Sequence, residues 1–178
     1  LSDMLPEQIL NSDKMEAIIN LLVNNDVKIE EELEIFSGVQ QKILSPSCNS
    51  SLYMRDEGDE KSATDVFRHE QNLIIREEGN TVLLSGCAHN GIVNILEHYV
   101  NKYGGLPTHV IGGFHLYSHS SKKSEDPITV FEVGRYLLDS AAEYYTGHCT
   151  GDEAYNILKR TMGQMLHKIS AGSVFEII

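Results

Sequence analysis

Three glycine-flanked histidine corners constrain the fold of this chain more than any other feature. They are Ser85-Gly86-Cys87-Ala88-His89-Asn90-Gly91, Gly112-Gly113-Phe114-His115-Leu116 and Thr146-Gly147-His148-Cys149-Thr150-Gly151. In each, an apolar, β-prone run ends, glycine turns the backbone tightly, and a histidine is presented before the next helical pattern begins. Strand, corner and helix in repeated succession give an α/β class, with helices layered on a sheet. The same device sets three imidazoles on one rim of that sheet, where they can converge.

The segments around the corners agree. Leu73-Ile74-Ile75 and Thr81-Val82-Leu83-Leu84 flank Glu78-Gly79-Asn80, an antiparallel hairpin signature. Ile92, Val93, Ile95, Leu96, Tyr99 and Val100 form a helical stripe ended by Gly104-Gly105. His109-Val110-Ile111 reads as a short buried strand, with His109 a satisfied edge group. A helix is predicted over 127–140, with Pro127 in its first turn, and a strand over Glu143–Thr146 with Tyr144 and Tyr145 on opposite faces. A helix through Ala154, Ile157 and Leu158 follows, and Ser173–Ile178 reads as the last strand. Met162, Met165 and Leu166 read as core filling at helical spacing, and His98 and His167 as surface residues within helical patterns. Upstream, Asp13 and Glu16 cap a helix carrying Met15, Ile18, Ile19, Leu22 and Val23, and Leu33 to Val39 alternates as a strand. Residues 45–65 are polar, with a solvated acidic run from Asp56 to Glu60. The chain therefore divides into a helical linker segment, 1–45, and a main unit, 46–178.

Charge and cysteine usage narrow the partners. A net charge of -12 repels phosphate backbones, so nucleic acid is not an expected partner. No run is apolar enough to span a membrane, and three cysteines are too few for a disulfide framework, so a reducing, cytoplasmic setting is expected.

Neutral imidazole binds zinc and iron, and strand ends are stiff platforms for holding ligand geometry. His89, His115 and His148 are thus the candidate ligands of a divalent metal. The backbone amides of Asn90-Gly91 and Cys149-Thr150-Gly151 precede helices and suit an anionic oxygen beside that metal. A closed zinc site of Cys87, His89, His148 and Cys149 is the alternative, although His148 and Cys149 in a strand-like corner point to opposite sides. Cys87 as a nucleophile is another, if a histidine base lies within reach. His69-Glu70 either touches substrate or caps the hairpin.

Gly86-Cys87-Ala88-His89, Gly112-Gly113-Phe114-His115-Leu116 and His148-Cys149-Thr150-Gly151, in this order, resemble the metallo-β-lactamase superfamily. With Asp65-Val66-Phe67-Arg68-His69-Glu70 before the hairpin, the resemblance is to its branch of dihydropterin ribofuranosylaminobenzene phosphate synthase-like metal-dependent hydrolases. It covers roughly residues 65–178 well and the first forty or so weakly. The resemblance implies an αββα sandwich with a metal site at its edge, loaded with zinc, iron or manganese, acting on a small anionic substrate. His89 and His148 match the family's later histidine ligands. His115 sits where many members place a bridging aspartate, which makes it both a metal candidate and the catalytic candidate. The family's His-x-His-x-Asp-His signature has no counterpart here; His115 and His119 have the wrong spacing and lack the aspartate. The chain therefore reads as the C-terminal half of such a sandwich, with 1–45 the end of the first half. Half a sandwich leaves an apolar sheet face that needs its missing half or a second copy. Alone it should be weakly active or inactive; the alternative role is a non-catalytic dimerisation or regulatory module with vestigial histidines.

Overall fold

The computed structural model describes residues 26–55 and 61–177. The helix expected around Met15–Val23 and the acidic run Asp56–Glu60 lie outside the described residues. In chain order the strands are β1 (Val27–Lys28), β2 (Leu33–Phe36), β3 (Tyr53–Met54), β4 (Ala63–Thr64), β5 (Asn72–Glu77) and β6 (Asn80–Ser85). They continue with β7 (His109–Ile111), β8 (Tyr117–Ser118), β9 (Lys123–Ser124), β10 (Glu143–Thr146) and β11 (Leu166–Lys168). The helices are α1 (Ile92–Tyr103), α2 (Pro127–Asp139) and α3 (Asp152–Met162).

The predicted hairpin forms between β5 and β6. Its two-residue turn, Glu78-Gly79, has positive φ at both positions, which matches the twist of the flanking strands. The left-handed Gly104 closes α1, its N–H reaching the Val100 carbonyl at 2.9 Å. Asp126 caps α2, accepting from the Ile128 and Thr129 amides, with Pro127 in the first turn as expected.

One seven-stranded sheet runs β1-β2-β5-β6-β7-β10-β11, antiparallel up to β6 and parallel from β6 to β11. The helices α1, α2 and α3 are the connections between its parallel strands. Register makes the two faces chemically distinct. Ile74, Leu83, Val110, Tyr144 and Leu166 stand side by side in neighbouring strands, each fully buried, and form the core with the apolar faces of the helices. The adjacent row runs Ile35, Leu73, Leu84, Ile111, Tyr145 and His167, all only partly covered, with Leu84 38% exposed. Tyr144 in and Tyr145 out is the alternation predicted.

Two predictions at the C-terminal end are corrected. Ser173–Ile177 forms no strand, because the parallel slot beside β10 is already taken by Leu166–Lys168. Phe175 instead stacks on Tyr145, with ring centroids 4.4 Å apart. His167 lies on this strand and not in a helix, since α3 stops at the left-handed Gly163; it stacks on Tyr145 and pairs with Glu143 at 2.6 Å. Met162 and Leu166 are buried, while Met165 falls in a short turn between them. His98 is on α1, half-buried with its ring stacked on Phe36. His109 is buried at the start of β7 with Nδ1 2.8 Å from Thr108 Oγ1, as a satisfied edge group would be.

Candidate metal centre

The parallel strands β6, β7 and β10 end in step, with Leu84 paired to Ile111 and Ile111 to Tyr145. Their carboxyl ends deliver the three corners to one rim, the usual place for a ligand site in a parallel sheet. The corners are bonded to one another. Gly113 N–H donates to the Gly86 carbonyl at 2.8 Å, Gly112 N–H to the Tyr145 carbonyl at 3.0 Å, and Phe114 N–H to Thr150 Oγ1 at 3.0 Å. The approach is close enough to require glycine: a Cβ on Gly112 would lie 2.6 Å from the Ser85 carbonyl oxygen. Each corner also holds a non-glycine residue in the left-handed region: Ala88 (φ 54°), His115 (φ 47°) and His148 (φ 49°). Such strain concentrates at functional sites.

His89 is held from three sides. Its backbone N–H and that of Asn90 donate to the Glu70 carboxylate at 2.5 and 2.9 Å. Its carbonyl accepts from Asn49 Nδ2 at 2.6 Å, and its ring stacks on Phe67 at 4.4 Å with Nδ1 3.3 Å from Asn49 Oδ1. Asn49 reaches this far because Asn94 on α1 clamps the preceding segment, accepting from the Lys42 and Ile43 amides at 3.1 and 3.0 Å. Burial lowers the His89 pKa against the pull of Asp65, so the ring is the neutral, ligand-competent form at neutral pH. Of the His69-Glu70 pair, Glu70 is buried and anchors this corner, where a cap on the hairpin was one expectation, and His69 is exposed.

Three amides of the expected anion cradle are already taken. Asn90 N–H is taken by Glu70, Gly91 N–H by the Ala88 carbonyl and Thr150 N–H by the Gly147 carbonyl. The Glu70 carboxylate and two short turns take these donors.

His115 lies deepest, 9% exposed, its ring centroid 4.0 Å from that of His89. Neither ring nitrogen has a hydrogen-bond partner among the described residues. Burial, followed by the nearby His89, His119 and His148 rings, pushes its pKa down to about 4. A buried imidazole with both nitrogens unpartnered is costly unless a ligand completes it.

His148 is exposed, with Nδ1 3.8 Å from Cys87 Sγ and its ring 5.8 Å from that of His119. Cys149 is buried, its thiol donating to the Cys87 carbonyl at 3.6 Å. Burial and the adjacent Cys87 push the Cys149 thiol up to about 12, which disfavours it as a nucleophile. Ligand atoms of Cys87, His148 and Cys149 all lie within 4.8 Å of one another, a clustering that does not include His89 or His115. The alternation expected to separate His148 from Cys149 does not apply, because His148–Thr150 is a 3-10 turn and not a strand. An orphaned buried imidazole and a converging Cys/His donor set both fit a soft divalent ion such as zinc or iron. A cleft of about 890 Å³ opens beside His148 and His119, with Tyr117, Tyr155 and Lys168 in its wall.

Sequence reasoning named the three histidines and, as an alternative that also included His89, the grouping of Cys87, His148 and Cys149; it missed Asn49 as a support for His89. Asn49 sits in a polar loop forty residues away, with no local signal to single it out.

Comparison with known proteins agrees with the resemblance read from the corners. The chain is 28% identical over 127 residues to 7,8-dihydropterin-6-methyl-4-(beta-D-ribofuranosyl)-aminobenzene-5'-phosphate synthase of Methanocaldococcus jannaschii, covering 70% of this chain and 40% of that protein. Its fold is similar to the crystal structure of Tm1679, a metal-dependent hydrolase of the beta-lactamase superfamily. The TM-score is 0.67 at 22% identity, over 85% of this chain and 56% of that one. The mixed α/β fold is therefore metallo-β-lactamase-like, and the chain spans about half the length of the proteins it matches, or less. No protein-family model matches the chain.

Proposed function

We propose that this chain carries part of a metal-dependent hydrolase or transferase site of the metallo-β-lactamase kind, directed at a small anionic molecule. The observation that carries the reading is His115: a buried ring with two unpartnered nitrogens, set against His89 at the strand ends where a ligand site is expected. His89 and His148 are the proposed ligands of a divalent zinc, iron or manganese ion. His115 is the third ligand or the group that holds substrate against it. When bound, such an ion supplies Lewis acidity toward an anionic oxygen. The protein holds the His89 corner rigid through Glu70 and Asn49, keeps its imidazole neutral through burial, and offers the cleft beside His148 for substrate. A chain of net charge -12 needs a local cation to attract an anion; the metal is the proposed one, since Lys168 in the cleft wall is already paired with Asp152.

The half-exposed row Ile35, Leu73, Leu84, Ile111 and Tyr145 is the proposed seat of the complementary half of the sandwich, since this chain spans 56% of the similar structure. Residues 46–178 are then the second half of the domain and 1–45 the end of the first, in a cytoplasmic protein. Among the described residues no helix is long and apolar enough to cross a membrane.

A second reading has one observation behind it: Cys87 Sγ lies 3.8 Å from His148 Nδ1, as a cysteine–histidine pair would. Calorimetric titration with inorganic phosphate as the anionic probe separates the readings. Phosphate should bind the zinc-loaded chain and not the metal-free chain, and His148→Ala should abolish both uptakes. A chain that takes up neither zinc nor phosphate refutes the proposal and leaves the dyad or a non-catalytic module.

A further inference from the structure

Cys87 and Cys149 play no part in the ligand set just proposed, yet they are placed as ligands would be. Both come from corners of the parallel rim, one after β6 and one after β10, and they meet at His148. In a tetrahedral zinc site with the usual bond lengths, sulfur and nitrogen donors stand about 3.6 Å apart and two sulfurs about 3.8 Å. Cys87 Sγ and His148 Nδ1 are separated by 3.8 Å, and none of the three donor atoms is more than 4.8 Å from another. Closing on an ion therefore asks for movements of about 1 Å or less, within side-chain adjustment.

Two further features build the place. Gly113, from the corner between the other two, leaves the space that Cys149 fills: a Cβ there would sit 2.5 Å from Cys149 Sγ and 3.5 Å from the Cys87 Cα. The left-handed His148 opens a 3-10 turn that brings successive side chains, His148 and Cys149, toward one point. A strand would have sent them apart.

We propose that Cys87, His148 and Cys149 bind a soft divalent ion, zinc foremost, through two sulfurs and one nitrogen. The inference rests on the metal-dependent reading above and refines which atoms do the holding. His89 and His115 stand outside this set and serve a second ion or the substrate. Thiolate donors select zinc over magnesium, calcium or manganese. Three protein donors leave the fourth tetrahedral position free, the pattern of a reactive zinc site and not of a closed structural one. Binding converts both thiols to thiolates and releases their protons to solvent. The third cysteine, Cys48, is absent from the cluster and serves as the internal control.

The test is cobalt(II) titration of the chain followed by absorption. One equivalent should raise a sulfur-to-cobalt charge-transfer band in the near ultraviolet, which Cys87→Ser and Cys149→Ala each weaken by about half and their combination removes; Cys48→Ser leaves it intact. X-ray absorption of the zinc-loaded wild-type chain needs no variant, and should show sulfur neighbours at about 2.3 Å. Cobalt or zinc bound with nitrogen and oxygen neighbours alone overturns the thiolate site and leaves the histidine site standing. No uptake of either ion overturns both.

Discussion

Replacing His115 by leucine should make the metal-free protein more stable. Both ring nitrogens are buried without a hydrogen-bond partner among the described residues, and each such atom costs on the order of 1–3 kcal/mol. Leucine removes both atoms and keeps an apolar body among the neighbouring rings. Against the gain stand the left-handed backbone at φ 47°, which histidine tolerates better than leucine, and an imperfect fit of shape. The net is a stabilisation of about 1–3 kcal/mol, or roughly 2–12 °C in melting temperature for a chain of this size. The assay is thermal and guanidinium unfolding followed by circular dichroism, in chelator at pH 7. Saturating zinc should narrow the gap between the two proteins, because the wild-type ring then gains a partner. A variant less stable than wild type by more than about 1 kcal/mol in chelator would show that the His115 nitrogens are already satisfied, and the reading of this residue as an incomplete site would fall.

The remaining predictions concern the groups that hold the rim. His115 has its pKa pushed down to about 4, below its unfolded value near 6.5, so its contribution to stability is fully present above about pH 6.5 and is lost as pH falls toward 4. That loss amounts to at most about 3 kcal/mol, and denaturant midpoints measured across the window should show it in wild type and not in His115→Leu. Glu70→Ala strips the acceptor from the His89 and Asn90 amides; it should cost about 2–4 kcal/mol and weaken zinc binding, read by urea unfolding and by zinc titration. Gly147→Ala places a Cβ 2.1 Å from the Ile169 carbonyl oxygen, so β10 and β11 cannot keep their present approach. A loss of more than about 3 kcal/mol is expected in the same unfolding assay, and a neutral result would refute the packing of this corner.

The sequence carried the strand-and-helix alternation because its signals are local. The Glu78-Gly79 turn, the Asp126-Pro127 start of α2 and the Gly104 stop of α1 each act within a few residues of where they are written. Three histidines in glycine-flanked corners were legible for the same reason. Tertiary competition was not legible. Ser173–Ile178 has the composition of a strand, but the edge of the sheet was already filled by Leu166–Lys168. The turn that carries His148 and Cys149 is bracketed by positive φ at His148 and Gly151, and little in its composition separates it from an extended corner. The Glu70 and Asn49 contacts to His89 span 19 and 40 residues, so no local pattern announces them.

The central claim is that these strand ends form a metal site, and the direct measurement is metal per chain by elemental mass spectrometry after dialysis against zinc, beside native mass. The account predicts at least one zinc per wild-type chain and, in His148→Ala, the loss of the ion held by His148, whose imidazole is common to both proposed ligand sets. A wild-type chain without zinc, or a His148→Ala chain with its full complement, would contradict it.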